Sequence, residues 1–158
     1  MFFMDKIPFT KEGLAKIKKE LSHLLSVERP ANIQAITEAI SHGDLSENAE
    51  YHAAKERQSF LEGRINELQA VIGKSEVIVV DEGPSDGVVF GRTIMLYNVQ
   101  AEEEVTYQLV GPYESNPDNG QISVSSPLGQ ALIGRREGDA VKVKTPKGMQ
   151  EFEILEIR

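Results

Sequence analysis

Asp44 and Glu47 stand three residues apart in the run His42-Gly43-Asp44-Leu45-Ser46-Glu47, where one helical pattern ends and another begins. That spacing around a helix start can turn both carboxylates to one side. Two chemistries fit. In the first, Asp44 caps the helix N-terminus, and Glu47, at its third position, reaches back to the Asp44 backbone amide. That is a capping box, in which acids are also favoured by the helix dipole. In the second, the pair binds a hard divalent cation. Mg²⁺ prefers oxygen ligands and commonly uses only one or two protein carboxylates, with water and substrate phosphates completing its shell. Such a site on an exposed tip is weak until a partner supplies the missing ligands. The readings are compatible, because a cap also fixes the direction of a carboxylate.

The surroundings of the pair are acidic. No lysine or arginine stands between Arg29 and Lys55, whereas Glu38, Asp44, Glu47 and Glu50 do, with His42 and His52 beside them. The two histidines lie ten apart without a metal-binding spacing and read as solvated or packed. Tyr51 opens a packing seam, and Arg135-Arg136 and Glu102-Glu103-Glu104 read as solvated turns. No glycine-rich phosphate loop or Ser/His/Asp order is present. Cysteine is absent, which removes disulfides, thiolate metal sites and a cysteine nucleophile.

Composition narrows the classes further. The 158 residues carry 17 basic and 25 acidic side chains, a formal charge of −8, which argues against affinity built on wrapping duplex phosphates. Aromatic residues make up 6% and tryptophan is absent, a poor basis for stacking single-stranded bases. No apolar run reaches signal-peptide length or the roughly 20 residues of a membrane span. The expectation is a soluble, cytoplasmic protein.

The elements that must position the acids follow from periodicity. Leu14, Ile17, Leu21 and Leu24 form one helical stripe, and Ile33, Ile36 and Ile40 form a second that is out of phase with it. Pro30 falls at the slip, so a kink or register reset is expected there. Tyr51, Ala54, Gln58, Leu61, Ile65, Leu68 and Ile72 alternate steps of three and four, a narrow seam for one partner helix. The short connection Ser41–Ser46 forces the two helices antiparallel. A helix from Lys11 to Ile40 spans roughly 45 Å, so the acids sit on the tip of a reaching hairpin.

From Glu76 onward the pattern changes to short β-branched runs. Val77–Val80, Arg92–Tyr97, Val105–Val110, Ile122–Ser125, Val141–Lys144 and Phe152–Ile157 are strand candidates, with a short helix over Pro127–Ile133. The expected fold class is α+β: an antiparallel coiled-coil hairpin over residues 1–76 and a small α+β domain over 77–158.

The tip run from His42 to Lys55, His42-Gly43-Asp44-Leu45-Ser46-Glu47-Asn48-Ala49-Glu50-Tyr51-His52-Ala53-Ala54-Lys55, closely resembles the signature of the bacterial Gre transcript-cleavage factors of the GreA type. Val27-Glu28-Arg29-Pro30, Glu62-Gly63-Arg64-Ile65, Val89-Phe90-Gly91-Arg92-Thr93 and the stretch from Ile122 to Gly134 extend the likeness over nearly the whole chain. It begins near Met4, which makes Met4 an alternative start to Met1. The resemblance implies a C-terminal domain like the FK506-binding prolyl isomerases in fold, without isomerase activity, that docks on RNA polymerase. It implies a hairpin that enters the polymerase secondary channel, and tip acids, Asp44 and Glu47, that help hold a second Mg²⁺ and its attacking water. The polymerase then cleaves its own backtracked transcript, and the factor is not an enzyme by itself. Asn48, Tyr51 and Lys55 are implied contacts to RNA or polymerase near the tip. Ile40 stands where relatives often carry arginine. Residues 1–80 hold ten basic and twelve acidic side chains, which favours the GreA type over its more basic relatives. A monomer with at most weak DNA contact, no membrane partner and no stably bound cofactor of its own completes the expectation.

Overall fold

The computed structural model of the chain describes residues 6–79 and 87–158. Contacts divide the chain into two units, Ala15–Lys74 and a second comprising Met1–Leu14 with Ser75–Arg158. Val80, Met1 and Met4, named above, lie outside the described residues.

The helical unit is a hairpin built from α1 (Lys11–His23), a π-helical turn (Leu24–Glu28), α2 (Arg29–Ser41) and α3 (Ala49–Gly73). The reset expected at Pro30 is this π turn, placed immediately before the proline, with the Arg29 amide donating to Leu24 O. Proline lacks an N–H and its ring pushes against the carbonyl four residues back. One extra residue in the turn accommodates it and rotates everything that follows.

That rotation corrects the second stripe. Asn32 and Ala39 are buried and Ile36 is half-buried, whereas Ile33 is 52% and Ile40 50% exposed. The seam on α2 has passed to the neighbouring positions. The α3 stripe lies where the spacing puts it, with Ala54, Leu61, Ile65 and Leu68 buried and Val71 joining them. Each large apolar side chain in the seam contributes about 1.5–3 kcal/mol. Two arginine–carboxylate forks cross the hairpin: Arg29 donates to Glu62 at 2.9 and 2.7 Å, and Arg64 to Glu20 at 2.8 and 2.9 Å.

The second unit centres on a five-stranded sheet ordered β5–β4–β3–β7–β6. Its strands are β3 (Thr93–Asn98), β4 (Glu103–Val110), β5 (Gln121–Ser123), β6 (Ala140–Thr145) and β7 (Gly148–Ile157). Only the β4–β5 pairing is parallel within this sheet. Alternation puts Ile94 and Leu96 of β3, Leu109 of β4, Val141 and Val143 of β6 and Phe152 and Ile154 of β7 on one face. Leu132 of α4 (Pro127–Leu132) and Val88 close that core.

A small two-stranded sheet belongs to the same unit and was not legible in the sequence. β1 (Ile7–Phe9) pairs parallel with β2 (Ser75–Val77). The strand thus runs to Val77 rather than from it, and β1 brings residues 7–9, assigned above to the hairpin, into the sheet unit. Thr10 caps α1 by accepting from the Gly13 amide, and the Glu114 carboxylate accepts from the Thr10 amide and hydroxyl and from the Gly111 amide. A Cβ on Gly111 would overlap the Pro8 carbonyl, so only glycine lets these segments meet.

Candidate functional site: the hairpin tip

The chain turns between α2 and α3 through His42, Gly43 and a 3₁₀ turn over Leu45–Glu47. Gly43 adopts φ +115°, open to glycine and strained for other residues. Asp44, at φ −55° and ψ 115°, then caps the 3₁₀ turn: its Oδ1 accepts from the Ser46 amide at 3.0 Å and the Ser46 hydroxyl at 2.9 Å. Glu47 is exposed, and among the described residues its carboxylate has no hydrogen-bond or ion-pair partner.

The capping box expected of Asp44 and Glu47 is therefore corrected. α3 is capped by Asn48, whose Oδ1 accepts from the Tyr51 amide at 3.0 Å. Asn48 has β-region backbone angles, φ −92° and ψ 96°, so the chain leaves one short turn before the long helix starts. Asp44 serves the first start and Asn48 the second. Glu47 ends the first turn and holds neither.

The other expected tip residues divide by what they touch. Asn48 Nδ2 donates to Ala39 O at 2.6 Å, so both ends of this amide are engaged within the hairpin. Tyr51 is half-buried, its ring edge-on to His52 with centroids 5.6 Å apart. Lys55 is exposed and donates to Gln58 Oε1 at 2.9 Å. His42 Nδ1 lies 3.1 Å from Glu50 Oε2, which ties the end of α2 to the start of α3. Asn32 was missed: its Nδ2 donates to Ala54 O at 3.2 Å in the buried seam. The available signal was its position seven residues before Ala39, one heptad along the same face.

The tip thus presents hard oxygen donors: both Glu47 oxygens and Asp44 Oδ2 have no internal partner among the described residues. No group of three or more His, Cys, Asp or Glu side chains able to hold a metal occurs among the described residues. Two carboxylates suit a cation whose other ligands come from elsewhere. No described helix is long and apolar enough to cross a membrane.

Residues 7–77 match the family described as "Transcription elongation factor, N-terminal", and residues 83–158 match "Transcription elongation factor, GreA/GreB, C-term". Transcription elongation factor GreA of Rhodospirillum rubrum is 52% identical over 155 residues, covering 98% of this chain and 99% of that protein. GreA of Syntrophobacter fumaroxidans is 48% identical over the same share of each chain. The crystal structure of GreA factor homolog 1 from Thermus thermophilus is 27% identical, covering 98% of this chain and 99% of that one, with a TM-score of 0.44. With both halves matched and relatives near half identity along its length, this chain belongs to the GreA/GreB family of transcription elongation factors.

Proposed function

We propose that this factor rescues backtracked or arrested bacterial RNA polymerase by entering its secondary channel and stimulating endonucleolytic cleavage of the nascent RNA 3′ end. The bond is cut in the polymerase active centre, and the factor alone has no nuclease activity. The sheet unit, which we read as FK506-binding-protein-like, docks on the polymerase. The factor works in the cytoplasm as a monomer, because the hairpin uses its own seam, and a chain of charge −8 gains little from DNA.

The observation that carries this reading is the freedom of the tip carboxylates. Glu47 has no structural duty among the described residues, and Asp44 commits one oxygen to Ser46 while its second is free. Asp44 and Glu47 would hold Mg²⁺, a fit set by their all-oxygen donor character, with the polymerase and RNA supplying the remaining ligands. A second Mg²⁺ held by these residues would supply activation of a water nucleophile and charge stabilisation for an in-line displacement. The Ser46 amide and hydroxyl fix the direction of Asp44 before any ligand arrives, so its orientation costs little on binding. On this reading Lys55 would meet RNA phosphate, and Tyr51 would pack by its ring edge.

The test is RNA cleavage by backtracked elongation complexes of the cognate polymerase in Mg²⁺, with wild type beside Asp44→Asn and Glu47→Gln and polymerase binding measured for each. Wild type is expected to release 3′ fragments. Both variants are expected to bind as wild type does and to stimulate cleavage about 10–100-fold less or worse. Wild-type binding without cleavage would instead make the protein a regulator that only occupies the channel.

A further inference from the structure

We propose that Asn48 is a positioning residue: its side-chain amide staples the end of α2 to the start of α3 and so fixes where the tip carboxylates stand. This rests on the cleavage reading above and adds to it a residue that acts through the position of the carboxylates rather than as the RNA or polymerase contact the resemblance implies. Asn48 follows Glu47 directly in the chain. Its Oδ1 caps α3 through the Tyr51 amide at 3.0 Å, and its Nδ2 reaches across to Ala39 O at 2.6 Å. Ala39 O lies in the last turn of α2, where carbonyls have no helical partner of the ordinary kind, and it also accepts from the His42 amide at 3.1 Å. One side chain thus completes two helix ends at once.

The bond has a counterpart deeper in the hairpin. Asn32 Nδ2 donates from α2 to Ala54 O of α3, while Asn48 donates in the opposite sense. Asn32 and Ala39 are seven residues apart on α2, and Asn48 and Ala54 six apart on the returning strand of the hairpin. The two bonds are therefore antiparallel rungs about one heptad apart. Ala39 is 2% and Ala54 8% exposed, and such small side chains let an asparagine amide reach the opposite backbone. A polar rung in an apolar seam specifies register, since slipping one helix past the other leaves the amide and the carbonyl unpaired. Of the two rungs, the one at Asn48 lies beside the acids. Its geometry demands a donor and an acceptor on one short side chain, which the asparagine amide supplies.

The substitutions Asn48→Ser and Asn48→Asp separate the two bonds. Serine and aspartate both keep the cap on α3, but neither donates to Ala39 O: serine is too short and aspartate carries no N–H. One variant is neutral and the other anionic, so agreement between them excludes a charge effect. In the elongation-complex assay, both are expected to lower the maximal cleavage rate about 10–100-fold. The factor concentration giving half that rate should stay within about twofold, because docking is untouched. Wild-type maximal rates in both variants would overturn the proposal. So would a raised half-saturating concentration with an intact maximal rate, which would make Asn48 a contact residue. In the free protein, the Asn48 side-chain amide protons are expected to exchange with water slowly by NMR. Exchange at the rate of a solvated asparagine would remove the staple even if wild type stimulates cleavage. Absence of cleavage by wild type would sink the functional reading, while the exchange measurement would still decide the staple.

Discussion

At the scale of single residues, the tip separates side chains that hold the fold from side chains that do not. Asp44 and Asn48 cap, and Glu47 has no partner among the described residues. Glu47→Ala is therefore expected to leave the thermal midpoint within error of wild type, whereas Asn48→Ala should cost about 1–2 kcal/mol through the lost cap alone. Thermal melts followed by circular dichroism at 222 nm read both. Arg92 is the opposite case. It is 5% exposed, and its Nε is buried without a hydrogen-bond partner among the described residues. An orphaned buried donor costs about 1–3 kcal/mol, so Arg92→Met is expected to raise the urea midpoint, and a lowered midpoint would show that the guanidinium is satisfied in solution. The sequence made Asp44 and Glu47 legible because acids without neighbouring bases mark a charged turn. It could not say which of three polar residues at alternate positions caps which turn, since Asp44, Ser46 and Asn48 are all good caps and the choice depends on backbone angles.

At the scale of elements, the π turn before Pro30 explains why the α3 stripe was readable and the α2 stripe was not. Periodicity reads the phase of a helix correctly only while residues per turn stay constant. Past Leu24–Glu28 the phase advances by one position, and the seam passes from the isoleucines to Asn32 and Ala39, whose residue types do not advertise burial. The Arg29–Glu62 fork across the hairpin makes its stability depend on pH. The hydrogen bond from Arg29, with its nearby charge, holds the Glu62 carboxyl below its usual range. A lowered folded-state pKa means a contribution present in full above the unfolded carboxylate value, about 4.3, and lost as pH falls through the folded value. Helical stability should therefore weaken in acid, and Glu62→Gln should flatten that acid limb without changing the slope near neutrality. An identical acid limb in the variant would assign the dependence to other carboxylates.

At the scale of the whole molecule, the sheet unit was legible in its strands and not in its pairing. Short β-branched runs marked β3, β4, β6 and β7, and in β3 and β6 every second residue is buried, whereas β4 ends on two adjacent buried residues, Leu109 and Val110. β1 escaped because three residues, Ile7–Phe9, are too few to show a period, and its partner β2 lies more than sixty residues away in sequence. The Thr10–Glu114 and Gly111 contacts that secure it join segments about a hundred residues apart, beyond any local pattern. The lack of a partner for Glu47 also carries an evolutionary consequence. A side chain that supports no fold can be exchanged without a penalty in folding, so on the proposed mechanism a factor that restarts polymerase and one that merely occupies it stand a single neutral-to-stability substitution apart. Descendants of such a scaffold could cross between activation and inhibition without passing through an unstable intermediate.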